Sequence, residues 1–134
     1  MKLKDILLKY DIDYSVSRID AEKIKKYEEL LGTEFGVQLR EYIINYGYIG
    51  YRHIEMYGIN AVQGESSDMI KTTIALRQRD SQLNGLIAIE NQGDGEYYFV
   101  DSKDQIYRYF QGAKELSKIS VDMESYIVHR LMDT

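Results

Sequence analysis

Four carboxylates lie close together in the sequence, at Asp94, Glu96, Asp101 and Asp104. Neighbouring acids could carry out acid–base catalysis if burial raised the pKa of one of them. Aspartate is also a residue that tight turns prefer for backbone reasons, so we interpret the group first as two turns. Calcium binding is not favoured, because the residues after Asp94 lack acidic ligands at alternate positions. A small hydrolase using Asp94 or Asp101 is the weakest of our hypotheses.

Other catalytic and cofactor-binding patterns are incomplete. His53 and His129 are far apart in the sequence, and no G-x-S-x-G motif presents a serine. Gly93-Asp-Gly95 precedes strand-like sequence, whereas a phosphate site needs a helix N-terminus there. The chain has no cysteine, which excludes a thiol nucleophile and Cys-ligated metals. We predict that the protein is not an enzyme and holds no metal and no cofactor.

The tyrosine-rich segment 46–57 is the better functional candidate. Tyrosine and arginine dominate binding hot spots, because they offer a large contact area and a polar tip that tolerates water. The alternative is that two or three of these tyrosines fill the core between a helix and the sheet. Nearby acids could contact a basic partner or could simply be solvated. The predicted partner-binding residues are Tyr48, Tyr51, Arg52, Glu55, Tyr57, Glu65 and Glu90.

Composition narrows the class of partner and the location. The 134 residues carry a formal net charge of −5 and include 13 tyrosines but no tryptophan. The largest basic cluster is Lys23, Lys25 and Lys26, so direct nucleic-acid binding is disfavoured. The N-terminal segment MKLKDILLKY has only short apolar pieces, which predicts neither a secretory nor a membrane segment. We expect one domain over residues 1–134, located in the cytoplasm, with oligomeric state undetermined.

Helices dominate the first half of the predicted structure. We expect helices over Leu3 to Tyr10, from Asp20 as N-cap to Leu31, and over Val37 to Tyr46, with Gly32 and Gly47 ending the last two. A further helix runs from Asp68 to about Arg79, capped by Ser66 or Ser67, and the last begins near Ser120. Met123, Ile127 and Leu131 form the predicted buried stripe of this last helix.

The strand predictions complete an α+β domain in which helices pack on a largely antiparallel sheet. Residues 48–59 predict an irregular hairpin or a bulged strand. Residues 83–110 predict three strands in a late meander with two acidic turns, before the C-terminal helix. Which face of this meander is free stays open, because Tyr97/Phe99 and Tyr98/Val100 are both apolar enough to be buried.

Several motifs, in this order, resemble the SUKH superfamily over about residues 20–131. They are Glu28-Glu-Leu-Leu-Gly32, Asn45-Tyr-Gly47, Glu55-Met-Tyr-Gly58, Thr72-Thr-Ile-Ala-Leu-Arg77, Leu86-Ile-Ala-Ile-Glu-Asn-Gln-Gly-Asp-Gly95, Tyr98-Phe-Val-Asp101 and Ile106-Tyr107. Phe35-Gly-Val37 stands where relatives often have a proline, and a tryptophan common among them has no counterpart here. Glycine can also shape a helix entry, so the fold expectation holds.

The resemblance implies a non-catalytic binding protein. Bacterial members of the superfamily typically bind and neutralise a toxin, often a nuclease, and eukaryotic relatives include regulators of cell-wall assembly. We therefore expect an immunity protein whose partner is a cognate toxin protein, with no direct nucleic-acid or membrane contact. An acidic binder would meet a basic toxin faster through charge complementarity. The alternative is a regulatory or scaffolding domain that binds a cellular protein.

Overall fold

A computed structural model describes residues 2–10, 12–14, 19–59 and 68–133. These residues form five α-helices and a seven-stranded sheet. The helices are α1 (Leu3–Lys9), α2 (Ala21–Leu31), α3 (Val37–Asn45), α4 (Met69–Arg79) and α5 (Met123–Met132). The strands are β1 (Asp13–Tyr14), β2 (Ile49–Tyr51), β3 (Ile54–Met56), β4 (Ile87–Gly93), β5 (Glu96–Val100), β6 (Gln105–Phe110) and β7 (Glu115–Asp122).

The sheet follows the order of the chain, β1 to β7, and every neighbouring pair is antiparallel. The predicted α+β class is confirmed, and so is the meander over β4, β5 and β6. Segment 48–59 is the hairpin of the two alternatives, with Tyr51 opposite Ile54 across a two-residue turn.

Strand β7 was not predicted, and the last helix begins later than the predicted start near Ser120. Residues 115–122 form a strand beside β6, and α5 begins only after Asp122, whose side chain accepts the Ser125 N–H at 2.9 Å. Serine and lysine interrupt the apolar residues of β7, because this strand lies at the sheet edge and is only partly buried. The alternation of apolar and polar residues in β7 is therefore too weak to predict a strand.

Local capping signals explain where the other helices begin and end. Asp20 accepts the Lys23 N–H at 3.0 Å, and Gly32 ends α2 with φ +61°, as predicted. Helix α4 is capped by Asp68, which accepts the N–H groups of Ile70 and Lys71 at 2.9 and 3.0 Å. Ser66 and Ser67, the predicted caps of this helix, lie outside the described residues.

Both faces of the central strands are covered. Tyr126 of α5 stacks on Tyr98 at 5.0 Å between ring centroids, whereas the Tyr109 hydroxyl, on the opposite face, donates to Asp80 after α4 at 2.7 Å. Phe99 and Val100, on opposite faces of β5, are both fully buried. The question of a single free face is thereby settled, since each side packs on a helix. The predicted stripe of Met123, Ile127 and Leu131 is buried, which is confirmed.

A carboxylate from the β5–β6 turn positions α3. The helix begins after Gly36, which has no side chain with which to cap it, and Asp104 accepts the N–H groups of Gln38 and Leu39 at 3.0 and 3.1 Å. The Asp104 carbonyl also accepts the Met123 N–H at 2.9 Å. One turn residue thus fixes the starts of α3 and α5 relative to the sheet.

Candidate protein-interaction site

The β2–β3 hairpin presents three of the predicted site residues at the surface. Ile54 and Met56 point into the core, so Glu55 between them is exposed by the strand alternation. Arg52 occupies the turn with φ +56°, a conformation that disfavours a side chain, and its guanidinium lies 5.1 Å from the centre of the Tyr51 ring. The hairpin therefore holds an arginine and a tyrosine together in cation–π contact.

Two pairs of tyrosine rings lie near the pairing of β1 with β2, and we group them with Arg52 under the name tyrosine edge: Tyr10, Tyr14, Tyr46, Tyr51 and Arg52. The rings of Tyr10 and Tyr51 lie 6.5 Å apart, and those of Tyr14 and Tyr46 lie 5.9 Å apart in an edge-to-face pair. Tyr14 is 46% exposed. Ring–ring contacts hold these side chains in place, so a partner would meet a surface that is already ordered.

Acidic side chains flank the tyrosine edge. Burial raises the pKa of the Tyr46 hydroxyl, and the charges of Glu124 and Glu41 raise it further, which places both carboxylates near this ring. Tyr10 and Tyr14 were absent from the predicted site. They precede the tyrosine-rich segment by more than thirty residues, and only the β1–β2 pairing and the packing of α1 bring them to it.

Three predicted site residues are buried, which corrects their assignment to a partner surface. Tyr48 and Tyr57 are 8% and 4% exposed. The Tyr48 hydroxyl lies against Gly50, where an added Cβ would be 2.6 Å away, and the Tyr57 carbonyl accepts the Tyr42 hydroxyl at 2.7 Å. These two tyrosines fill the core, the alternative that the sequence left open.

Glu90 is the third, at 1% exposed. Its carboxylate forms a bidentate ion pair with Arg130 of α5, with Nη2 to Oε2 at 2.6 Å and Nε to Oε1 at 3.1 Å. The Tyr126 hydroxyl donates to the same carboxylate, and burial followed by the Glu90 charge raises the pKa of Tyr126. This buried cluster ties α5 to β4 and offers no group to a partner.

The other residues that the sequence suggested as site residues either have structural roles or lie outside the described residues. Glu65 lies outside the described residues. Asp101 accepts the N–H groups of Lys103 and Gln105 at 2.8 and 3.0 Å, and Asp104 caps α3, so both acids have the backbone roles expected of turn residues. Within the described ranges, no three His, Asp or Glu side chains gather as a metal site would require.

A concave surface separate from the tyrosine edge lies between α2 and α3 and has a cavity volume of about 580 Å³. We call it the α2–α3 groove. Its lining residues are Ala21, Ile24, Lys25, Glu28, Glu29, Gly32, Thr33, Glu34, Arg40 and Ile44. Glu28 accepts the Phe35 N–H at 2.6 Å and Arg40 Nη2 at 2.8 Å. Partial burial acts to raise the pKa of Glu28, but these hydrogen bonds and the Arg40 charge outweigh it, so the pKa lies below its ordinary value.

Comparison with known families agrees with this architecture. The family model described as SMI1-KNR4 cell-wall, SUKH_5, matches residues 3–132. The chain belongs to the SUKH superfamily. No curated protein matches this SUKH domain. SUKH domains are in general non-catalytic immunity or regulatory domains that bind protein partners. In the described part of the chain, no helix of this SUKH domain is long and apolar enough to cross a membrane.

Proposed function

We propose that this SUKH domain is an immunity protein that binds a cognate toxin and neutralises it without catalysis. The observation that carries the proposal is the tyrosine edge, an ordered aromatic surface with an arginine, on a domain of a partner-binding family. The carboxylates of Asp101 and Asp104 accept backbone N–H groups of the β5–β6 turn and of α3, which favours binding over turnover. Neutralisation is then stoichiometric, with one immunity protein covering one toxin.

The contact chemistry of the tyrosine edge supports protein binding. Each tyrosine offers a large area with few rotatable bonds, and Arg52 adds charged donors beside Tyr51. Among the described strands β1 pairs with β2 alone, and addition of a partner strand at β1 is part of the proposal. Glu55 is exposed on β3, but the register that pairs Tyr51 with Ile54 puts Glu55 on the opposite face of the hairpin, so it lies outside the tyrosine edge.

Charge is consistent with a basic toxin such as a nuclease. The chain carries −5, and Glu41 and Glu124 lie near Tyr46. Opposite net charges raise the association rate, which matters for an inhibitor that must act before the toxin does. The proposal places this encounter in the cytoplasm, since a protein without cysteine suits a reducing compartment.

The test begins with a pull-down from native lysate, followed by co-expression of each toxin-like protein recovered. We expect the wild-type chain to restore growth, and Tyr51→Ala with Arg52→Ala to lose the rescue. If the two truncations together cost at least about 2 kcal/mol, binding weakens roughly thirtyfold or more. Tyr27→Ala with Arg79→Ala is the matched control, since it removes the same residue types from α2 and α4. Equal rescue by both double variants would remove the tyrosine edge from the proposal.

A regulatory or scaffolding domain is the second candidate. The matched family description refers to the cell wall, which favours a cellular partner for some members. Recovery of housekeeping proteins alone, with binding that still depends on Tyr51 and Arg52, would support this candidate over immunity.

A further inference from the structure

The α2–α3 groove has the size and chemistry of a peptide-binding site. We propose that it binds a protein segment in which an apolar side chain is flanked by lysine or arginine. The site is distinct from the tyrosine edge, with which it shares no residue, and its occupant need not be a toxin.

The groove is held open by its anchors. Helix α2 packs on α4, and α3 packs on α5, so the two walls are fixed to different elements. Arg77 of α4 donates to the Leu31 carbonyl at 2.6 Å and to Thr33 Oγ1 at 2.9 Å, which fixes the end of α2. Asp104 fixes the start of α3. A volume of about 580 Å³ between rigid walls is comparable with that of sites that bind ligands.

The lining gives the groove an apolar floor and an acidic rim. Ile24 is buried at 2% exposed, whereas Ile44 remains 41% exposed at the groove. A large aliphatic side chain with this exposure gains stability when an apolar group covers it. The floor therefore fits one apolar side chain of an incoming segment.

The charges of the rim select for a basic segment. Arg40 is 2.8 Å from Glu28, which balances its charge within the groove, and Glu34 lies farther away at 3.9 Å. Glu29 is exposed, and the Glu34 side chain is 81% exposed, against Lys25 as the remaining cation of the lining. Positive side chains on either side of the apolar one would meet these two acids.

One polar atom also lacks an acceptor. Arg40 Nε is buried and has no hydrogen-bond partner among the described residues, although Nη2 of the same side chain bonds Glu28. A buried N–H without an acceptor is costly. Because this atom is shielded from solvent, a backbone carbonyl of a bound segment would reach it only through a movement of the Arg40 side chain, which the Nε–H signal would report.

The test is an NMR titration of the full chain at low salt with two synthetic peptides, Gly-Lys-Leu-Arg-Gly and Gly-Glu-Leu-Glu-Gly. We expect the basic peptide to shift the methyl signals of Ile24 and Ile44 and the Nε–H signal of Arg40, and the acidic peptide to leave them unchanged. Glu29→Lys with Glu34→Lys should weaken the basic peptide about tenfold, because two attractive contacts become repulsive.

The matched control is Asp5→Lys with Glu115→Lys, which changes the net charge equally at exposed positions outside the groove. This control should retain nearly all of the binding. Equal weakening by both double variants would show non-specific charge attraction and overturn the proposal. The absence of shifts at Ile24 and Ile44 would also overturn the proposal. Shifts at these methyls that depend on protein concentration in the absence of peptide would overturn it too, because they would indicate a second copy of the chain in the groove.

Discussion

Replacing Asp104 by alanine should destabilise the protein more than any other change to the turns between strands. Its carboxylate, in a residue only 8% exposed, accepts two N–H groups at the start of α3, where Gly36 supplies no side-chain acceptor. Alanine would leave the amides of Gln38 and Leu39 without these partners. Helix α3 carries Arg40 and Ile44 of the groove, so its position matters to the proposed site as well.

The magnitude follows from three contributions. Loss of an N-cap costs about 1 kcal/mol, a second hydrogen bond to a charged acceptor adds about 1–2 kcal/mol, and alanine at φ +63° costs up to about 1 kcal/mol. We expect a loss of about 3 kcal/mol in the free energy of unfolding. Asparagine tolerates positive φ and keeps one acceptor, so Asp104→Asn should lose only about 1 kcal/mol.

The assay is urea unfolding followed by circular dichroism, with Asp94→Ala as the matched control. Asp94 has φ +54° in the β4–β5 turn but is exposed, so its replacement costs only the backbone contribution. The difference between the two variants, about 2 kcal/mol, isolates the capping carboxylate. Equal losses for Asp94→Ala and Asp104→Ala would show that the Asp104 carboxylate does not stabilise the start of α3.

Three further predictions concern the core. Arg130→Ala leaves the Glu90 carboxylate, 1% exposed, without its cation and should cost about 3–5 kcal/mol in urea unfolding, whereas a loss below 1 kcal/mol would mean that the pair contributes little. Ile127→Ala should cost about 2–5 kcal/mol, and an unchanged denaturation midpoint would contradict its burial at 1% exposed. Burial, reinforced by Glu96 and Asp80 respectively, raises the pKa of Tyr98 and of Tyr109 to about 12. The stability that these two hydroxyls provide is present below pH about 10, the pKa of an unfolded tyrosine, and is lost as the pH rises towards 12. A pH titration that follows both tyrosinate absorbance and circular dichroism should show unfolding in this window. Ionisation of every tyrosine near pH 10 without unfolding would contradict this prediction.

Local signals predicted most of the helices. Asp20 and Gly32 carry the capping and left-handed preferences that bound α2, and the spacing of Met123, Ile127 and Leu131 matched the buried face of α5. Strand β7 was missed because an edge strand needs few apolar residues. The predicted start of α5 was therefore wrong as well, since Asp122 caps the helix instead of lying inside it.

The candidate site was harder to predict, because its residues are sorted by distant contacts. Tyr48 and Tyr51 are the same residue type and have similar neighbours in the sequence. Tyr48 is buried because of its place in the folded hairpin, which the sequence alone does not reveal. Glu90 resembles a surface acid until Arg130, forty residues later, packs beside it. Tyr14 joins the site only through its packing on Tyr46.

The most direct test of the proposed immunity function is isothermal titration calorimetry of the purified chain with a toxin-like protein recovered from the pull-down. We expect one-to-one binding that Tyr51→Ala with Arg52→Ala weakens roughly thirtyfold or more, while Tyr27→Ala with Arg79→Ala leaves it unchanged. Absence of binding to any such protein would contradict the immunity proposal, and full-strength binding by the Tyr51/Arg52 variant would contradict the tyrosine edge as its site.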